Sequence, residues 1–162
     1  FYDYPKGEQK RLWKGLKDGT IQCIATDHAP HTLKEKNNPY EKSPAGMPGV
    51  ETSLPLMLNQ VTKGNIELTD VVKWMCENVT KIYGIKNKGF IKPGYDADIT
   101  IIDMNKEKVV LGSNMQSKCG WSAFDNDKLK GWPIITIVNG NIVFENETVS
   151  TKFLGKPVLF NE

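Results

Sequence analysis

The chain has 162 residues, 39% hydrophobic and 25% charged, with a formal net charge of +2. That is ordinary globular composition, and so small a charge, carried on scattered lysines, gives no argument for a nucleic-acid or membrane-surface partner. No apolar run reaches bilayer-spanning length, and Cys23, Cys76 and Cys119, far apart and odd in number, suit a reducing cytoplasm better than a disulfide framework or a paired-cysteine metal site.

The chain opens on Phe1-Tyr2-Asp3-Tyr4 without a methionine and runs straight into a helix-like segment, so it reads as a piece of a longer polypeptide. Residues 8–18 put Leu12, Trp13 and Leu16 on one face of a short amphipathic helix, with Gly19 where a left-handed C-terminal glycine belongs. Residues 21–26 follow as a mostly apolar strand, the helix–turn–strand unit of an α/β fold. The stretch from Asp27 to Thr52 is rich in proline and polar residues, and a connection of that length inside a compact domain is expected to be functional or disordered. Residues 53–62 are predicted helical, with Pro55 harmless in the first turn and Leu56, Met57 and Val61 available for burial. The next helix is capped by Thr69 and carries the stripe Val71, Val72, Met75, Val79, Ile82 and Tyr83 up to Gly84, a pattern of core packing. Beyond Gly89 the period becomes strand-like. Strands are expected at 98–103, 108–111, 134–138 and 142–145, the last two joined by a two-residue turn at Asn139-Gly140. The boundary between the helical part, 1–87, and the β-rich part, 88–162, falls near Asn87.

Chemistry concentrates in Ala25-Thr26-Asp27-His28-Ala29-Pro30-His31. A carboxylate and both histidines of the chain lie at the C-terminal end of an apolar strand, where parallel α/β folds and (β/α)₈ barrels gather their ligand sites. Asp27 has two uses there: capping a turn, the commoner one for such an aspartate, or ligating a metal while carrying a proton. A structural hydrogen bond in the loop is the simpler role for His28. His31 reads equally as a solvated loop residue or a substrate contact. A zinc site needs three or four protein ligands, and with no second histidine cluster a self-contained zinc hydrolase is not expected. Ser122 and Cys119 lack the partners of a nucleophile.

The run from Lys17 to Thr32 resembles the last-strand signature of the dihydroorotases. The segment Pro44-Ala45-Gly46-Met47-Pro48-Gly49-Val50-Glu51-Thr52-Ser53-Leu54-Pro55-Leu56 resembles the part that closes the loop in that family. Lys92-Pro93-Gly94-Tyr95-Asp96-Ala97-Asp98 is similar to the amidohydrolase tail motif, and Lys118-Cys119-Gly120-Trp121-Ser122 with Gly131-Trp132-Pro133 and Val138-Asn139-Gly140 also looks dihydroorotase-like. The resemblance covers nearly the whole chain. It implies an α/β fold: the terminal portion of a (β/α)₈ amidohydrolase barrel in residues 1–87, followed by a small β-sandwich-type domain in 88–162. It implies a zinc-dependent enzyme, with one or two ions, that interconverts N-carbamoyl-aspartate and dihydroorotate in pyrimidine biosynthesis. By position Asp27 matches the aspartate that binds metal, takes the proton of the attacking hydroxide and protonates the departing amide nitrogen. His31 matches the histidine that holds the substrate carboxylate, and Ala45 and Gly46 match the loop that hydrogen-bonds the ring or its carboxylate. The family's other metal ligands come from earlier strands that this chain lacks, so the piece alone is expected to be inactive and to need the missing N-terminal barrel segment as its partner. A homo-oligomer or a complex with aspartate transcarbamoylase is compatible with the resemblance.

Two other readings stand beside this one. A dihydropyrimidinase, hydantoinase or allantoinase shares the barrel and the aspartate, but its ring substrate lacks the carboxylate that gives His31 a purpose. A catalytically inactive dihydroorotase-like scaffolding subunit would have lost metal ligands, whereas Asp27 and His31 are both retained.

Overall fold

The computed structural model describes residues 7–152 and 155–161; the opening Phe1–Tyr4 lies outside the described residues. Compactness divides the chain into two units. One draws on residues 1–25, 69–96 and 156–162, the other on 26–68 and 97–155.

In the first unit, helix α1 spans Glu8–Asp18 and ends on Gly19, which takes the left-handed conformation at φ 84°. Leu16 is buried on this helix while Leu12, expected on the same face, is 47% exposed. The segment after it has no regular secondary structure, and the expected strand at 21–26 forms no ladder with another strand among the described residues. An apolar run becomes a strand only when a neighbour supplies the backbone partners. What holds it instead is a helix. Helices α4 (Leu68–Val72) and α5 (Asn78–Tyr83) are joined without a break by a π-helical turn, Lys73–Glu77. In that turn the Asn78 N–H reaches back to the Lys73 carbonyl, which leaves the Trp74 carbonyl free to accept the Ile24 N–H at 3.1 Å. Beside it the Asn78 side-chain amide donates to the Gln22 carbonyl at 2.7 Å.

The π turn also corrects the expected stripe. An extra residue in the helix turns the residues beyond it by roughly 100° relative to a regular helix. Beyond the turn Ile82 and Tyr83 are exposed; before it Val72 is exposed too, while Val71 and Trp74 are buried, at 3% and 1%. The helix also begins at Leu68, one residue before its expected cap. The indole N–H of Trp74 is buried without a hydrogen-bond partner among the described residues.

The second unit is a four-stranded antiparallel meander, β1 (Ile99–Val109), β2 (Lys128–Val138), β3 (Asn141–Glu145) and β4 (Thr148–Val149), in the order β1-β2-β3-β4. Asn139 and Gly140 both have positive φ, 49° and 79°, as the predicted tight turn requires. A second turn with both central residues at positive φ, Asn146-Glu147, joins β3 to β4. The two pieces expected at 98–103 and 108–111 are one strand whose register slips between Asp103 and Glu107. Strand β2 begins at Lys128 rather than near 134. Pro133 is tolerated because the register shifts beside it, between the pairs Ile101–Ile135 and Ile102–Pro133, and because β3 pairs only with residues 135–138.

Helix α3 (Ser53–Thr62) packs on β2. Its buried residues are Pro55, Met57, Leu58 and Asn59, not the expected Leu56 and Val61, which are only partly covered. Contact is closest at Gly131, which has φ 96° and where a β-carbon would stand 2.7 Å from that of Leu58. Beside it the Asn59 side chain accepts the Lys130 N–H. Val110, Leu129 and Trp132 form the buried core, with Leu56, Met115 and Phe124 against it. Among the described residues no helix is long and apolar enough to cross a membrane.

Candidate functional site

All four residues singled out for a site, Asp27, His31, Ala45 and Gly46, belong to the second unit. The segment that carries Asp27 is pinned by the one that carries Gly46. The Ala29 N–H donates to the Met47 carbonyl at 3.0 Å. Nδ1 of His28 accepts the backbone N–H groups of Gly49 and Val50 at 3.1 and 3.3 Å, so the ring proton of a neutral His28 sits on Nε2. That is the structural loop hydrogen bond expected of this residue.

Directly before these pins Asp27 adopts φ 43°, a left-handed conformation uncommon outside glycine that aspartate tolerates better than most residues. A sparsely populated backbone state of this kind persists where the surroundings over-determine it, and such states cluster at functional sites. The Asp27 side chain is exposed and makes no hydrogen bond or ion pair among the described residues. A turn-capping aspartate would be engaged with nearby N–H groups; this one is not.

The other three residues lie on the two pinned segments. Gly46 is exposed at φ 88° and lies so near Ala29 that a β-carbon would stand 2.6 Å from the alanine methyl. The Lys36 ammonium brackets Ala45 by donating to the carbonyls of Pro44 and Gly46, at 2.7 and 3.1 Å. The peptide N–H and carbonyl of Ala45 itself have no partner among the described residues. His31 is half-buried; its N–H donates to the Ala29 carbonyl at 2.9 Å, and its ring makes no hydrogen bond among the described residues. It is followed by helix α2 (Leu33–Lys36), which starts with a capping box: the Glu35 carboxylate accepts from the Thr32 N–H and hydroxyl, each at 2.7 Å. Those Thr32 bonds hold the Glu35 carboxyl below the usual range, and the nearby His31 contributes further.

Three residues given no role in the sequence complete the arrangement. The Trp121 indole donates to the His31 carbonyl at 2.7 Å. The Glu51 carboxylate accepts the N–H groups of Gln116 and Ser117, both at 2.9 Å, and Lys36 holds the 44–46 segment. Glu51 and Trp121 stand inside the recognised motifs, but their partners are 65 to 90 residues away, beyond any local pattern.

Among the described residues no three or more His, Cys, Asp or Glu side chains gather as a metal-holding group. The unengaged carboxylate of Asp27 fits one position of a metal's coordination sphere, and among the described residues no second candidate stands beside it.

The model of the amidohydrolase family matches residues 3–143. The chain belongs to the amidohydrolase family. This amidohydrolase chain is 44% identical over 158 residues to a dihydroorotase of Pyrococcus furiosus, covering 95% of the chain and 36% of that protein. It is 45% identical over 137 residues to a dihydroorotase of Acetivibrio thermocellus, covering 84% of the chain and 32% of that protein. Among solved structures it resembles the L-hydantoinase (dihydropyrimidinase) of Arthrobacter aurescens with a TM-score of 0.82 and 35% identity, over 88% of the chain and 33% of the other. The chain thus spans about a third of the length of the curated relatives it matches.

Proposed function

We propose that this chain is the C-terminal part of a zinc-dependent dihydroorotase, an enzyme that interconverts N-carbamoyl-aspartate and dihydroorotate. In this reading residues 1–87 complete a (β/α)₈ barrel and residues 88–162 belong to a small β-sandwich-type domain. The observation that carries the reading is the Asp27 carboxylate: exposed, unengaged among the described residues, and set at an uncommon backbone angle directly before the pinned His28 and Ala29.

Asp27 is the residue that would hold zinc, which when bound supplies Lewis acidity and eases deprotonation of water near neutral pH. The part of Asp27 in the chemistry is a proton transfer in two halves. One carboxylate oxygen takes the proton of the attacking water and then delivers it to the ring nitrogen as the amide bond breaks, so the carboxylate ends as it began. His31, whose ring makes no hydrogen bond among the described residues, receives the substrate carboxylate through a charge-assisted bond. The N–H and carbonyl of Ala45, without partners among the described residues, meet the polar edge of the ring with the close approach that Gly46 permits. The remaining zinc ligands come from barrel strands upstream in the parent protein, and a cytoplasmic enzyme of pyrimidine biosynthesis is the setting this implies. Exposed Leu12, Val72 and Ile82 on the helices of the first unit suit burial against the rest of such a barrel.

A hydantoinase or dihydropyrimidinase is the second reading, favoured by the solved structure at 35% identity. It is weaker because the dihydroorotases match at 44% and 45% and because a neutral ring gives His31 no anion to bind. The test uses the full-length parent, assayed with dihydroorotate and dihydrouracil and analysed for metal. Zinc, turnover of dihydroorotate and loss of most turnover in Asp27→Asn are the expected results. Preference for dihydrouracil would move the assignment to the second reading. A parent without metal or turnover would point to a scaffolding subunit.

A further inference from the structure

Of the site residues, His31 is the one whose backbone is fixed from outside its own loop. Its N–H is tied to the Ala29 carbonyl and its own carbonyl to the Trp121 indole, at 2.9 and 2.7 Å. With Pro30 before it and the capping box after it, only the side-chain torsions of His31 remain free.

Trp121 is itself seated rigidly. Gly112 passes so close that a β-carbon there would stand 2.4 Å from the Trp121 α-carbon. The Asp125 carboxylate ties the two sides of that crossing by accepting from the Gly112 N–H and, at a longer 3.5 Å, from the Ser122 N–H. The buried Cys119 thiol points to the Trp121 carbonyl at 3.6 Å. A second pin joins the same segment to the loop. Glu51 accepts from Gln116 and Ser117 and directly follows Val50, whose N–H holds His28. Residues 112–122 are therefore fastened to the 27–52 loop at two points, one on the His31 peptide and one next to the residues that clamp His28.

We propose that Trp121 and Glu51 are positioning residues for His31, so that the grip on the substrate anion is set by the 112–122 segment. This rests on the dihydroorotase reading for the identity of the anion, though not for the positioning itself. A ring presented from a turn fixed at both peptides meets a carboxylate with little torsional freedom to lose. Release of the Trp121 pin leaves the ring chemistry intact and enlarges the set of orientations it samples.

The experiment uses the full-length parent. Trp121→Phe removes the indole N–H and keeps an aromatic ring; Glu51→Gln keeps the shape but turns an amide NH2 toward one of the two N–H donors. Each should raise KM for dihydroorotate about five- to tenfold, the scale of one lost hydrogen bond, with kcat within about threefold. In a His31→Ala background the same changes should add almost nothing to KM, because the residue they position is gone. A full additional loss in that background, or an unchanged KM in both variants of an active parent, overturns the proposal. Hydrogen exchange of the His31, Thr32 and Glu35 amides reads the positioning without turnover. Trp121→Phe should speed it about tenfold, and unchanged exchange overturns the proposal even if the parent has no dihydroorotase activity. Faster exchange in an inactive parent leaves the positioning standing and removes only the activity reading. Should Trp121→Phe not fold, Glu51→Gln decides by the same readings.

Discussion

Gly46→Ala tests whether the two pinned segments work as one device. Glycine at φ 88° pays no steric cost, whereas alanine there carries about 1–2 kcal/mol. The new methyl would stand 2.6 Å from the Ala29 methyl, against an ordinary carbon–carbon contact of about 3.5–4.0 Å. About 1 Å must therefore be recovered by moving one segment, at a further cost of about 1–3 kcal/mol. Ala29 lies two residues from Asp27 and two from His31, so a shift of that size misplaces both. A displacement near 1 Å costs on the order of a hundredfold in rate. The assay is kcat/KM for dihydroorotate in the full-length parent, with urea unfolding to read stability. The double variant Gly46→Ala/Ala29→Gly separates collision from backbone cost, because the nearest remaining Ala29 atom, its α-carbon, is 4.0 Å away. It should recover activity to within about tenfold of the parent while keeping the left-handed penalty. A single variant with parental activity, or a double variant no better than the single, would refute the reasoning.

Three other predictions concern the site and the sheet. His31→Ala should raise KM for dihydroorotate by about tenfold or more, the worth of a charge-assisted hydrogen bond, and unchanged kinetics would remove the substrate assignment. Gly131→Ala should lower stability by about 2–4 kcal/mol in urea unfolding, since its methyl meets Leu58 at 2.7 Å and φ is 96°; an unchanged midpoint would mean that α3 is not seated where described. Glu147 is held below the usual carboxylate range by hydrogen bonds from Lys106 and then Lys108. Its folded state therefore stays ionised to lower pH than its unfolded state, so its stabilisation is present above the ordinary carboxylate range and fades as pH falls through the lowered value. The difference in Tm between the parent and Glu147→Gln should accordingly be largest near neutral pH and shrink on acidification; a constant difference would contradict the pairing.

Local signals in the sequence were legible wherever a local conformation decides the outcome. Gly19 and the Asn139-Gly140 turn take the positive φ that their residue types invite, and helix α3 occupies the range its pattern predicts. What escaped depends on partners far along the chain. The apolar segment at 21–26 becomes a strand only beside another strand, and Pro133 and Gly131 look like breaks until the register shift and the approach of Leu58 explain them. At the site, the roles of Asp27, His31, Ala45 and Gly46 came from the resemblance, and the competing turn-cap role for Asp27, the commoner one by residue type, lost its footing only where the carboxylate is unengaged among the described residues. Glu51 and Trp121 carried no local mark, because each acts on backbone groups 65 to 90 residues away.

The π turn at Lys73–Glu77 makes the helix a reader of the Ile24 segment beside it. By skipping one rung, the helix leaves the carbonyl of Trp74 facing sideways, and Ile24, the third residue before Asp27, takes it. Removal of a single residue from this turn would close the ladder and withdraw that carbonyl. The helical residues Asn78–Tyr83 beyond it would also swing by about a third of a revolution. A one-residue deletion there would thus release the Ile24 backbone from the helix that holds it.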